Sequence, residues 1–323
     1  MKRIVRNTSS TEPLLLDTFK EFIDSKRYAN LAEASIRDYE ESFRRFISFF
    51  QFNDSTELSI VNEVMFKEWA LDMLNNDLKI PSINRYLRDC KVFINWSYKN
   101  NYLQGNPPTI TLMKTQQESP KAFPYEDILA ITAKPQNKDD FVEYRNWVIT
   151  NYVLATGNRA STIIELQIQD IDFRNREINL RHTKNKKAQV IPLSSSLETI
   201  LKEYFREWRH EAEPTDYVFP NIANEQLTRD AMIHSFIKYC RKRGSSHTNI
   251  HGLRHTFALN WIRAGGNQFK LQKILGHSSL EMTKRYVTLV SDDLKEDFDK
   301  FSTLDNIRKA KKPKKLINKN EVV

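Results

Sequence analysis

Apolar residues recur every three to four positions in two stretches of the first third of the chain. One runs Ile36, Tyr39, Phe43, Phe46, Ile47 and Phe50; the other follows Pro81-Ser82 as Ile83, Tyr86, Leu87, Cys90, Phe93 and Ile94. That period places each set on one face of an α-helix, and a proline just inside the start suits a helix N-terminus. The N-terminal part reads as four helices, and the stripes are their shared core. Farther on, Trp147 to Leu154 is an apolar helix that runs into Gly157. The period then changes. Glu177 to His182 and Ala188 to Leu193 are two short runs flanking the basic stretch Thr183-Lys-Asn-Lys-Lys187, which predicts a β-hairpin with a basic tip. Tyr217-Val-Phe219 is the candidate for one further short strand. The predicted fold class is therefore mainly α (α+β), with a small antiparallel hairpin or sheet.

Asn106-Pro-Pro-Thr and a polar run ending at Pro120 have the composition of an extended linker. The expected organisation is a helical domain over 1–105, a linker over 106–121, a second domain over 122–301 and a basic tail over 302–323. Within the second domain, Ser291 to Phe301 carries Leu294, Phe298 and Phe301 on one face and suits docking onto its own domain.

Composition narrows the partners. The 323 residues include 50 Lys and Arg against 41 Asp and Glu, a net charge of +9. The excess gathers at the hairpin tip and in the tail Arg308-Lys-Ala-Lys-Lys-Pro-Lys-Lys315, which favours a phosphate-bearing partner. Two cysteines, Cys90 and Cys240, lie beside apolar helical positions and predict no disulfide framework, which fits a reducing cytoplasm. The start, Met1-Lys-Arg-Ile-Val-Arg followed by Asn7-Thr-Ser-Ser, has no apolar stretch long enough for a signal peptide or membrane span, so a cytoplasmic protein is expected.

The chemistry concentrates near the end. His251, Arg254 and His255 are spaced i, i+3, i+4 on one helix face, with Leu253, Phe257, Trp261 and Ile262 as the apolar stripe. Thr248 and Asn249 are N-cap candidates and Gly265-Gly266 a stop. The dipole at that N-terminal end suits a phosphate. Two histidines at i, i+4 also admit a zinc reading, but the zincin pattern has Glu after the first histidine, where this chain has Gly252. Arg159 comes two residues after a helix-ending glycine, and a guanidinium fork can hold two phosphate oxygens at once. A second helix ends at Gly276 and delivers His277, and Tyr286 lies on the next amphipathic segment. Asn267 to Tyr286 also has the look of a helix-turn-helix, which keeps a DNA-binding regulator open. No P-loop and no carboxylate cluster suited to magnesium stands out, so no metal and no cofactor is implied.

Taken together, Thr156-Gly-Asn-Arg159, His251-Gly-Leu-Arg-His-Thr-Phe-Ala258, Leu275-Gly-His277 and Tyr286 resemble the catalytic domain of the tyrosine recombinases, the phage-integrase family, in its integrase and Xer-like members. The resemblance covers 122–290 strongly and 14–105 more weakly. It implies a SAM-like core-binding domain of four helices that clamps DNA, and a site-specific recombinase that cuts and rejoins DNA through a 3′-phosphotyrosyl intermediate without ATP or metal. In that scheme Tyr286 is the nucleophile, Arg159, Arg254 and His277 stabilise the phosphate, His251 is the base and Lys184, in register with the family's hairpin lysine ahead of Pro192, protonates the leaving 5′ oxygen. Arg37, Arg44, Arg85, Arg88 and Lys91 in the helical domain, and Lys186 and Lys187 beside Lys184, are the expected DNA contacts. The implied partners are double-stranded attachment or recombination sites and a homotetramer on DNA, with accessory DNA-bending or directionality proteins as further partners. One position departs: the family's usual acidic residue after the first arginine is Thr162 here, with Glu165 a turn later as the substitute to examine. A catalytically silent DNA-binding relative and a type IB topoisomerase are the alternatives. Integration, excision, transposition and dimer resolution are not distinguished.

Overall fold

The computed structural model describes residues 12–115, 121–137, 140–181 and 188–288. The chain divides into two compact units between Gln117 and Glu118, and each has its own core. Among the described residues no helix is long and apolar enough to cross a membrane.

The first unit contains α1 (Leu15–Tyr28), α2 (Glu33–Phe50), α3 (Glu63–Asn75) and α4 (Ile80–Lys99), with a 3-10 turn at Leu58–Ile60. Both sequence stripes point inward. Ile36, Phe43 and Phe46 of α2 and Ile83, Leu87, Cys90, Phe93 and Ile94 of α4 are buried, and Phe43 stacks on Phe19 at 3.6 Å between centroids. Each such side chain contributes roughly 1.5–3 kcal/mol by leaving water. Asn62 caps α3 by accepting from Val64 and Met65 N–H, and Pro81 sits in the first turn of α4. The chain beyond α4 is tied back to it: Asn84 both donates to the Met113 carbonyl and accepts from its N–H, each at 2.8 Å.

The second unit begins with α5 (Tyr125–Thr132), α6 (Phe141–Thr156) and the single turn α7 (Ala160–Ile163). Three antiparallel strands follow in the order β1 (Ile171–Asp172), β2 (Glu177–Leu180) and β3 (Gln189–Pro192), with Glu177 opposite Pro192 and Leu180 opposite Gln189. The predicted hairpin is present with a further short strand at its edge. Its tip, including Lys184, Lys186 and Lys187, lies outside the described residues. Tyr217 to Phe219 forms no strand; it makes one bridge, Gln167 to Tyr217, while Val218 and Phe219 go fully into the core. The remaining helices are α8 (Ser195–Trp208), α9 (Arg229–Lys242), α10 (Ile250–Arg263), α11 (Gln268–Leu275) and α12 (Glu281–Thr288). α6 is buried around most of its circumference, polar Arg145, Asn146 and Thr150 included, because it is the central element, packed by α5, α8, α9 and α10. The segment Ser291 to Phe301 and the basic tail also lie outside the described residues.

Candidate active site

The site is built where α6, α10, α11 and α12 meet. α6 ends at Gly157, whose φ of +65° is a left-handed cap, and a Cβ there would lie 2.5 Å from Cδ1 of Phe257. Only glycine fits both demands. The chain then turns so that Arg159 caps α7 with its side chain half-buried, and its Nη1 donates to the Leu275 carbonyl at 3.3 Å.

α10 starts at the Asn249 cap, which accepts from His251 N–H at 2.9 Å. The loop before it is fixed to α5 by Asp127, which accepts from Ser246 Oγ and from His247 N–H. Gly252 is a close approach: a Cβ would lie 2.8 Å from the Phe123 ring. The glutamate that a zincin needs at this position has no room, and among the described residues no group of three or more His, Cys, Asp or Glu could hold a metal. Arg254, the second arginine of the expected phosphate clamp, is buried, donating through Nη1 to the Gly157 carbonyl at 2.7 Å and through Nη2 to the Leu275 carbonyl at 2.9 Å. Burial and the neighbouring Arg159 pull its pKa down to about 9, so it stays charged at neutral pH.

Two guanidiniums thus converge on one carbonyl at the end of α11. Thr162 is buried and lines the same small recess as Asn158, Arg159 and Arg254, while no hydrogen bond or ion pair joins Glu165 to either arginine among the described residues. Backbone carbonyls do the bracing for which the sequence had suggested Glu165. A residue that periodicity did not single out assists them: Gln189 of β3 donates to the carbonyls of Lys273 and Ile274 at 2.6 and 3.0 Å.

His277 follows α11 and is buried, with Nδ1 2.8 Å from the hydroxyl of Thr283, itself fully buried on α12. Burial first, then Arg254 and Arg159, lower its pKa to about 3, so the ring is neutral. Thr283 donating to Nδ1 leaves the proton on Nε2, the arrangement a phosphate oxygen needs. Tyr286 belongs to a small cluster with Ala258, Leu259, Leu271 and Leu275 and is buried. Burial raises its phenol pKa against the opposing pull of Arg285, Arg254 and Arg159.

The imidazole on the Tyr286 hydroxyl is that of His255, Nδ1 to Oη 2.7 Å, and not that of His251. His251 lies one turn earlier, exposed as a residue but with its ring edge-on to His255 at 4.7 Å between centroids; partial shielding of that ring from water, then the charges of Arg254 and Arg159, lower its pKa.

In the first unit, the expected DNA contacts differ in availability. Arg37, Arg44 and Arg88 are exposed, Arg44 in an ion pair with Glu41. Arg85 is half-buried, paired with Asp38 at 3.0 Å and lying over the Tyr86 ring. Lys91 is also half-buried and donates to the Ile110 carbonyl at 3.1 Å, so its ammonium is occupied within the unit.

The pattern of the phage integrase family matches residues 121–292, more than half of the chain, a range that holds Arg159, His251, Arg254, His255, His277 and Tyr286. The chain belongs to this family, the tyrosine recombinases, enzymes of site-specific DNA recombination that work through a 3′-phosphotyrosyl intermediate. It is 27% identical over 298 residues to the tyrosine recombinase XerC of Oceanobacillus iheyensis, covering 89% of this chain and 95% of that one. The fold is shared with the XerH site-specific recombinase bound to a palindromic difH substrate after cleavage, at a TM-score of 0.66 and 20% identity, over 84% of this chain and 80% of that one. It is shared also with a lambda integrase tetramer bound to a Holliday junction, at a TM-score of 0.68 and 13% identity, over 86% and 78% of the two chains.

Proposed function

We propose that this chain cuts and rejoins duplex DNA with Tyr286 as the nucleophile and Arg159, Arg254 and His277 as the groups that hold the scissile phosphate. The observation that carries this reading is the convergence of both guanidiniums on the Leu275 carbonyl, one turn from His277 and beside the cluster that seats Tyr286. Held donors of this kind are each worth on the order of 3 kcal/mol to a phosphoryl transition state. Lys184 protonates the departing 5′ oxygen, and Lys186 and Lys187 contact the flanking backbone. Exposed His251 adds a further donor to the phosphate. Because the phosphotyrosyl ester conserves the energy of the broken linkage, a 5′ hydroxyl from a second duplex reverses the step and strands are exchanged.

The first unit serves as a clamp on the duplex, with Arg37, Arg44 and Arg88 as its phosphate contacts; Arg85 and Lys91 contribute only by giving up their present partners. Four copies act on two duplexes, as the lambda integrase tetramer on a Holliday junction suggests. Accessory DNA-bending or directionality proteins set the outcome, and the protein works in the cytoplasm.

The test uses duplexes selected from a randomised pool by the Tyr286→Phe protein, then nicked so that cleavage cannot be reversed. The wild-type protein should give a covalent protein–DNA band on a denaturing gel, and Tyr286→Phe should bind equally and give none. Adduct formation by the phenylalanine variant would remove Tyr286 from the mechanism.

A further inference from the structure

His255 is joined to the nucleophile by a hydrogen bond to the Tyr286 hydroxyl, whose other side-chain partner, Arg285, is a permanently charged guanidinium and no base, and His255 holds no place in the scheme above. We infer that His255, and not His251, accepts the proton of Tyr286 when the phenol attacks and returns it when the strand is rejoined. The inference rests on the recombinase reading of the same site.

The geometry favours it on three counts. Nδ1 of His255 lies 2.7 Å from Tyr286 Oη, within reach for direct transfer. The donor and acceptor come from α12 and α10, elements already locked together through the cluster of Ala258, Leu259 and Tyr286, so the contact is built into the packing. His251 has only its ring contact with His255 and its backbone bond to Asn249 among the described residues.

In the resting site His255 is neutral. Burial first, then the positive charges of Arg285 and Arg254 and the neighbouring His251, take its pKa down to about 4. With its proton on Nε2 the ring accepts the phenol hydrogen bond at Nδ1. The charged groups around the pair are Arg159, Arg254 and Arg285, and all are cationic. A phosphodiester seated on those guanidiniums cancels much of their field and raises the ring's proton affinity, so the acceptor becomes effective when substrate is present. The step balances. The O–H bond of Tyr286 breaks and an N–H bond forms on His255 Nδ1; Oη bonds to phosphorus; the P–O5′ bond breaks and O5′ takes a proton from Lys184. Rejoining runs each transfer backwards.

Two variants separate proton transfer from placement. His255→Asn keeps an acceptor oxygen near the position of Nδ1 without a useful base, and His255→Phe keeps the ring's bulk without an acceptor. Both are assayed as full chains on the selected nicked duplexes, with DNA affinity and melting temperature as folding controls. Each should bind like wild type and form adduct slower by a factor on the order of 100 or more. The same duplex with a sulfur in place of the bridging 5′ oxygen has a leaving group that needs no proton. It should restore Lys184→Ala but neither His255 variant. Wild-type rates in His255→Asn would reduce His255 to a positioning residue and overturn the proposal, as would sulfur rescue of His255→Phe. A loss seen in His251→Asn and not in His255→Asn would return the role to His251. A wild-type protein that binds without any adduct would sink the recombinase reading itself, and this inference with it.

Discussion

Gly157 shows how much of the site hangs on one residue without a side chain. Its left-handed φ lets α6 stop, its missing Cβ lets Phe257 approach, and its carbonyl accepts from Arg254 at 2.7 Å. Gly157→Ala should therefore cost about 2–4 kcal/mol, the sum of a strained φ and an overpacked contact. Urea unfolding should show a lower midpoint at unchanged slope, and a loss below about 1 kcal/mol would mean that Phe257 yields easily. Adduct formation should fall further than stability alone explains, since Arg254 moves with the carbonyl. At this scale the sequence was informative about identity and silent about environment. The spacing of His251, Arg254 and His255 placed them together, yet a helical wheel cannot distinguish a solvated polar face from a polar site under cover, so the burial of Arg254 was not legible. The partner of Tyr286 depended on how α12 lies across α10, a long-range contact that no local period encodes.

Among the elements, the hairpin and α11 act as one piece through Gln189, whose amide caps the last carbonyls of α11 from β3. The turn it steadies carries the Leu275 carbonyl and His277, while the strand it stands on leads back toward Lys184. Gln189→Leu keeps the side-chain size and removes both donors. Melting should shift only by the equivalent of about 1 kcal/mol, because these carbonyls sit near solvent. Cleavage of the selected duplexes should drop roughly tenfold, the 1.4 kcal/mol of a modest misplacement. An unchanged cleavage rate would show that α11 needs no such tie. Apolar periodicity made α2, α4, α6, α10 and the two main strands legible, while α5, α8 and α9 were covered only by the expectation of a mostly helical domain. It missed β1, whose two residues carry no alternating pattern, and it favoured a strand at Tyr217 to Phe219, where full burial on both sides and a single bridge govern instead. The bracing of both arginines by backbone carbonyls could not be read at all, because every residue supplies the same carbonyl.

The cationic cluster also makes the whole molecule sensitive to acid before its carboxylates titrate. His255 and His277 have folded pKa values of about 4 and about 3, below the ordinary histidine value of 6.5. The unfolded chain therefore binds protons that the folded chain refuses, and stability must fall as pH drops from about 6.5 toward 4. Melting temperature followed over that range should decline, and His277→Asn should flatten part of the slope; a flat wild-type profile above pH 5 would contradict the burial of these rings. DNA reverses the sign locally. A phosphodiester against Arg159 and Arg254 favours the protonated rings, so binding should take up protons and tighten as pH falls through the same window. Titration calorimetry of Tyr286→Phe with a selected duplex, in buffers of different ionisation enthalpy, measures that uptake directly. Fewer protons taken up by Tyr286→Phe/His255→Phe than by Tyr286→Phe alone would tie the effect to the imidazole on the nucleophile. Equal uptake would assign it to His277 and His251, leaving His255 neutral even with phosphate in place and unsuited to receive the phenol proton.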